Sequence, residues 1–254
     1  MTHDVTHMTH VTKTTGTAGT AGTAEAAEAA EAAEGTKTAE TIETDAGTAR
    51  ITWHRAARKA RLVLAVGHGA GGGIEARDLR ALAAELPAHG VTVALVEQPW
   101  RVAGKKLAPA PRTLDVGWRG LWPALAAPGL PVVAGGRSAG ARVACRTAAG
   151  LGAHAVLALS FPLHPPGRPE RSRAAELLGA GVPTLVVQGG NDPFGRPDEF
   201  PEEFRQESAQ GPYELVEVPY GDHGFAVPKR APVGREQTLT VLTDGVLKWV
   251  SSLG

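Results

Sequence analysis

Short apolar runs alternate with longer amphipathic ones from Arg50 to the end of the chain. The runs at 50–53, 62–66, 91–96, 131–134, 155–160, 184–188 and 214–218 are rich in Val and Leu, and most stop at Gly, Pro, Asn or Asp. That pattern predicts strands. Between them, 75–88, 113–127, 139–150, 171–179, 198–209 and 234–252 read as helices. In the first of these, Leu79, Leu82, Ala83 and Leu86 form one apolar face. Inner strands that are apolar almost throughout suit a parallel sheet covered on both sides. Strict strand–helix alternation then predicts a three-layer α/β domain with a mostly parallel central sheet.

Composition changes the picture at one end only. Residues 16–24 read GTAGTAGTA and 25–34 read EAAEAAEAAE, almost without bulky apolar side chains. Such a stretch cannot offset its ordering entropy, so residues 1–49 are expected to be a disordered low-complexity tail and 50–254 the folded domain. His3, His7 and His10 sit at helix-like spacing, but in that context a polar leader is the better reading than a metal site. The start lacks the basic, apolar and small-residue zones of a secretory signal.

The chain of 254 residues has a formal net charge of zero, with 26 basic and 26 acidic residues. The zero averages an acidic tail, with eight carboxylates and two lysines, against a basic remainder. Neutrality gives no sign of a nucleic-acid or membrane partner, and no run approaches the roughly 18 apolar residues of a span. A single cysteine excludes an intrachain disulfide and a four-thiolate zinc site. A cytoplasmic location, no metal, no cofactor, and a small molecule as binding partner are therefore expected, with the oligomeric state left open.

In open parallel sheets, chemistry gathers in loops after the carboxyl ends of the strands. After 62–66 comes Gly-His-Gly-Ala-Gly-Gly-Gly, in which Gly67, Gly69 and Gly72 satisfy GxGxxG and Glu97 ends the next strand. This fits a dinucleotide site. It fits equally a glycine loop whose backbone N–H groups face a developing negative charge. After 131–134 comes Gly-Gly-Arg-Ser-Ala-Gly, where Gly136, Ser138 and Gly140 match GxSxG. Small residues two before and two after the serine permit the tight turn that exposes a nucleophilic hydroxyl at the sheet edge.

A nucleophilic serine needs a base, and the base an orienting acid. Of the histidines outside the tail, His223 alone sits in the loop after the last strand, in Tyr-Gly-Asp-His-Gly-Phe. The preceding strand leads into Gly-Gly-Asn-Asp-Pro-Phe, which offers Asp192; Asp222 is the rival acid. The order Ser138, Asp192, His223 is that of α/β-hydrolases, and it accounts for more residues than the dinucleotide reading does. The glycine loop then supplies oxyanion donors, from Gly69 or Ala70 together with Ala139, and His68 shapes the loop. Two loops, 97–112 and 161–170, are expected to border the substrate with Trp100, Phe161 and His164 and with the bases Arg101, Lys105, Lys106 and Arg168. Cys145, seven residues after Ser138, is expected to pack in the helix.

The segments HGAGGG (68–73), GGRSAGARVA (135–144), FPLHPPGRPE (161–170), VVQGGNDPFG (186–195) and DHGF (222–225) resemble an α/β-hydrolase family related to dienelactone hydrolases. That family includes subunit three of the non-specific lethal histone-acetyltransferase complex and a shorter testis-expressed relative. The resemblance implies the three-layer α/β-hydrolase fold and a Ser-His-Asp triad at Ser138, His223 and Asp192. Dienelactone hydrolases proper use a cysteine nucleophile where this chain has Ser138, so their substrate is not implied. The expected activity is acyl transfer to water from an ester, thioester or amide through an acyl-enzyme. The alternative is a non-catalytic binding module or complex subunit that keeps the fold.

Overall fold

Side-chain alternation along the strands sets the architecture. In β3 (Leu62–Gly67), Leu62, Leu64 and Val66 join one hydrophobic cluster, and Val63 and Ala65 join another. In β4 (Val91–Glu97), Val91, Val93 and Leu95 divide from Ala94 and Val96 in the same way. Both faces of these strands are buried, so helices must cover both sides of the sheet. The structure, a computed structural model, describes residues 37–205 and 212–253. All of these fall in the compact unit Ala33–Gly254.

The sheet adds β1 (Lys37–Thr44), β2 (Gly47–His54), β5 (Val132–Arg137), β6 (Ala155–Leu159), β7 (Thr184–Gly189) and β8 (Tyr213–Val218). Its order is β1-β2-β4-β3-β5-β6-β7-β8. From β4 to β8 every neighbouring pair is parallel, whereas β1 and β2 are antiparallel. One face carries α3 (Pro111–Ala126) and α4 (Ala139–Leu151), which bury Trp118, Leu121, Val143 and Ala144. The other carries α1 (Arg77–Glu85) and α7 (Arg235–Ser252), which bury Leu79, Leu82, Leu242, Val246 and Trp249. α2 (Pro99–Val102), α5 (Ala174–Leu178) and α6 (Glu202–Arg205) are short. The three-layer α/β-hydrolase fold with a mostly parallel sheet is thus the observed one.

Several expectations change. Residues 37–49, expected in the tail, form β1 and the start of β2, a hairpin that extends the sheet antiparallel to β4. β1 is polar because it is an edge strand with most of its residues exposed. Residues 1–36, with His3, His7 and His10, lie outside the described residues. The helix expected at 171–179 starts only at Ala174, because the Arg173 backbone N–H donates to Leu163 O at 2.7 Å. The helix expected at 198–209 is a 3-10 turn, Pro197–Glu199, followed by α6. Phe200 is extended at φ −71°, ψ 154°, as the residue before Pro201 must be. Residues 206–209 of that prediction fall outside the described residues. α2 was not anticipated, being a single turn opened by Pro99.

Candidate active site

The carboxyl ends of β3, β5, β7 and β8 place four loops at one edge of the sheet. Ser138 joins β5 to α4 at φ 53°, ψ −110°, outside the regions an L-residue favours. Two features hold it there. Its N–H donates to Leu159 O at 2.9 Å. The flanking glycines pack face to face: a Cβ on Gly136 would collide with the Gly140 backbone, and one on Gly140 would stand 2.6 Å from Gly67 O. The GxSxG spacing is therefore a packing requirement of this turn.

His223, in the loop after β8, reaches Ser138 Oγ with Nε2 at 2.9 Å and Asp192 Oδ2 with Nδ1 at 2.8 Å. The Nδ1–H tautomer satisfies both bonds, donating to the carboxylate while Nε2 accepts from the hydroxyl. Asp192 is only 1% exposed, and besides His223 it accepts two bonds from its own stretch of chain. Gln188 Nε2 donates to Oδ2 at 2.8 Å, and the Phe194 N–H donates to Oδ1 at 2.9 Å. The Phe194 ring lies on the His223 ring with centroids 4.3 Å apart. The rival Asp222 folds back on its own turn, its Oδ1 accepting from the Gly224 and Ala226 N–H groups at 2.7 and 2.9 Å.

Two supports escaped the sequence reading. Gln188 is fully buried and also donates to Gly195 O at 2.8 Å, so one amide ties the Asp192 loop at both ends. Arg137, just before Ser138, donates from Nη2 to His223 O at 2.9 Å. Its Nε stands 3.1 Å from Asp78 Oδ2, a buried ion pair without hydrogen-bond alignment. Burial raises the Asp78 pKa above the ordinary carboxylate value, outweighing the opposite pull of Arg137. The signal for Gln188 was a polar residue closing an apolar strand four positions before Asp192. That for Asp78 was a carboxylate next to Leu79, at the edge of the helix's apolar face.

The glycine loop packs against Ser138. A Cβ on Gly69 would lie 3.4 Å from Ser138 Cβ and 3.5 Å from Arg137 O. His68 is buried, with Nδ1 2.8 Å from Gly69 O, while Nε2 accepts the Gln98 N–H at 3.2 Å. These roles fix a neutral Nδ1–H imidazole, and burial pushes the His68 pKa below the ordinary value despite the Gly69 carbonyl. Since C=O and N–H of a trans peptide point opposite ways, holding Gly69 O turns the Ala70 N–H outward on the other side. Ala139 opens α4, so its N–H has no acceptor within the helix. A narrow slot lined by His68, Gly69, Ala70, Trp100, Ala139 and Val143 runs between these groups.

Of the expected bordering residues, Trp100 lines this slot, whereas Phe161 and His164 do not. Trp100 is buried with its ring edge-on to His68, centroids 5.5 Å apart. Phe161 is fully buried in the core, and its carbonyl lies 3.4 Å from Gln188 Nε2. His164 is also buried, held by Pro165 O at 2.9 Å and Glu199 Oε1 at 3.3 Å. Both side chains are buried, and neither lines the slot. Arg101 pairs with Glu75 at 3.1 Å. Cys145 is buried, and that burial pushes its thiol up to about 12.

The dinucleotide reading fails on geometry. Helix α1 begins at Arg77, four residues beyond the last glycine of the loop, so no helix N-terminus stands at the turn to receive a pyrophosphate. Glu97 is engaged by Arg50 at 3.3 Å. Among the described residues no group of three or more His, Cys, Asp or Glu is gathered to hold a metal ion. No described helix is long and apolar enough to cross a membrane.

Comparison with known proteins agrees with this architecture. Residues 58–251 match a family model described as an alpha/beta hydrolase domain. No curated protein matches the chain. Among solved structures, a dienelactone hydrolase from Anabaena variabilis is 20% identical with a TM-score of 0.65, over 86% of this chain and 98% of its own. A lidless a/b serine hydrolase from Xanthomonas campestris is 20% identical with a TM-score of 0.62, over 84% and 94% of the two chains. An alpha-beta serine hydrolase homologue from Coxiella burnetii is 14% identical with a TM-score of 0.63, over 84% and 97%.

Proposed function

The chain belongs to the alpha/beta hydrolase domain family, and from that membership we propose that it is a serine hydrolase. It acts on an ester, thioester or amide carbonyl through an acyl-enzyme. The observation that carries this reading is the unbroken relay from Ser138 Oγ through His223 to Asp192 Oδ2, with contacts of 2.9 and 2.8 Å.

In this mechanism His223 Nε2 takes the Ser138 proton as Oγ attacks the carbonyl carbon. Asp192 keeps the imidazole in its Nδ1–H tautomer and stabilises the cation that forms. Negative charge then builds on the carbonyl oxygen. The Ser138 N–H is already spent on Leu159 O, so the donors are the N–H groups of Ala139 and of Gly69 or Ala70. Each such donor is worth about 3 kcal/mol. His223 returns the proton to the leaving group, and the C–X bond breaks. Water, deprotonated by the same imidazole, then attacks the acyl-serine and releases the acid.

A fluorophosphonate probe tests the proposal directly. Wild-type protein is expected to label, and Ser138→Ala to lose labelling completely while keeping its melting temperature within a few degrees. Folded wild-type protein that resists the probe would leave the non-catalytic module as the surviving reading.

A further inference from the structure

A cavity of about 360 Å³ lies between the β1–β2 turn, α2 and the start of α3, sharing Gln98, Trp100 and Leu114 with the slot beside Ala139. Neither Ser138 nor His223 lines it. Its size falls in the range that holds small ligands, roughly 300–1,000 Å³. Pro99, Trp100, Val102 and Leu114 give it an apolar wall. At its mouth stands Leu107, 84% exposed and the most exposed large apolar side chain among the described residues. Lys105 is the one charged residue on the lining, and it makes no ion pair among the described residues.

Nearby carboxylates are engaged elsewhere. Glu43 accepts from Thr48 Oγ1 at 2.7 Å, Glu75 pairs with Arg101, and Glu97 pairs with Arg50. Asp45 is exposed and does not line the cavity. A lone ammonium without the fork of an arginine or a nest of N–H groups suits a single carboxylate better than a phosphate.

From these features we infer that the cavity binds a small amphipathic carboxylate. Its apolar body lies along Trp100 under Leu107, and its charged end meets Lys105. The cavity wall is also the support of the glycine loop. Trp100 packs edge-on against His68, and the Gln98 N–H donates to His68 Nε2, while His68 Nδ1 holds Gly69 O. An occupant pressing on Trp100 therefore bears on the proposed oxyanion donors, whether it is a separate molecule or the far arm of the substrate.

Octanoate and its uncharged counterpart octanol serve as probes, with affinity read by calorimetry and tryptophan fluorescence. Wild type is expected to bind octanoate more tightly than octanol. Lys105→Glu should weaken octanoate by about threefold to tenfold and leave octanol unchanged. Leu107→Asp should weaken both, and each substitution is on an exposed side chain, so folding is retained. Octanoate that binds the three proteins equally, or none of them, overturns the inference. Turnover of a short aryl acetate distinguishes the two sources: a change in kcat marks a separate effector, and pure competition marks the substrate arm. The binding results stand even if Ser138 proves inert.

Discussion

The turns at 135–140 and 67–73 are both glycine-rich and press against each other, but glycine serves different ends in the two. In the first, Gly135 is hemmed by Ala65 O and Leu157 O at 3.2 Å, while Gly136 and Gly140 have no room at all for a Cβ. In the second, a Cβ on Gly71 or Gly72 would meet nothing within 4 Å. One set of glycines allows backbone to touch backbone. The other, at Gly71 and Gly72, leaves open space around the backbone. Glycine content alone therefore says nothing about tolerance; the space around each glycine decides it.

The largest effect expected is at the crowded turn. Gly140→Ala sets a methyl against Gly67 O and His68 O at 2.6 and 2.9 Å, and neither is the end of a flexible side chain. The expected cost is about 3 kcal/mol or more, read by chemical denaturation, with fluorophosphonate labelling lost alongside. A fully stable, reactive Gly140→Ala would erase the contrast between the turns.

An intermediate effect is expected where the open loop is anchored. His68→Asn can keep an N–H toward Gly69 O but leaves the Gln98 N–H without its acceptor and opens space beside Trp100, loosening the loop and slowing labelling by about tenfold to a hundredfold. The same residue predicts a pH dependence. Burial holds its folded pKa below the ordinary value of 6.5, so below 6.5 the unfolded chain takes up a proton that the folded state refuses. The stability from neutral His68 is complete above 6.5 and is lost as pH falls through the folded pKa. Melting temperatures measured between pH 7 and 5 should decline in wild type and decline less in His68→Asn.

The smallest effect belongs to Gly71→Ala. Its backbone is not in the left-handed region, and its surroundings are empty, so the change should add between zero and about 1 kcal/mol of stability. Labelling should proceed near the wild-type rate. A large loss in either measurement would show that the open loop is as tightly fitted as the closed one.

The three hydrogen-bonded residues Ser138, His223 and Asp192 are legible because each sits after a strand whose apolar run is easy to see. Position in the alternation identified Ser138, Asp192 and His223 without any knowledge of distances. β1 was not legible. Lys-Thr-Ala-Glu-Thr-Ile-Glu-Thr has one bulky apolar residue, Ile42, and follows a low-complexity stretch. What makes it a strand is pairing with β2, a tertiary effect that composition does not carry. The same limit hid Arg137 and Gln188. Their partners, His223 O, Asp78 and Gly195 O, are brought near by the fold, and no local pattern announces them. Phe161 and His164 illustrate the converse. Their loop follows a strand at the right edge, but their side chains turn into the protein.

The backbone at Ser138 has a bearing on how such a protein responds to selection. At φ 53°, ψ −110°, an L-residue bears a strain of about 1–3 kcal/mol that glycine escapes. Ser138→Gly should therefore melt higher by about 2–4 °C for each kcal/mol relieved, seen by scanning calorimetry. Heat resistance alone, used as a screen, would enrich chains that have discarded the Ser138 hydroxyl. Any effort to harden this protein must score turnover together with survival, because at this position the two pull in opposite directions.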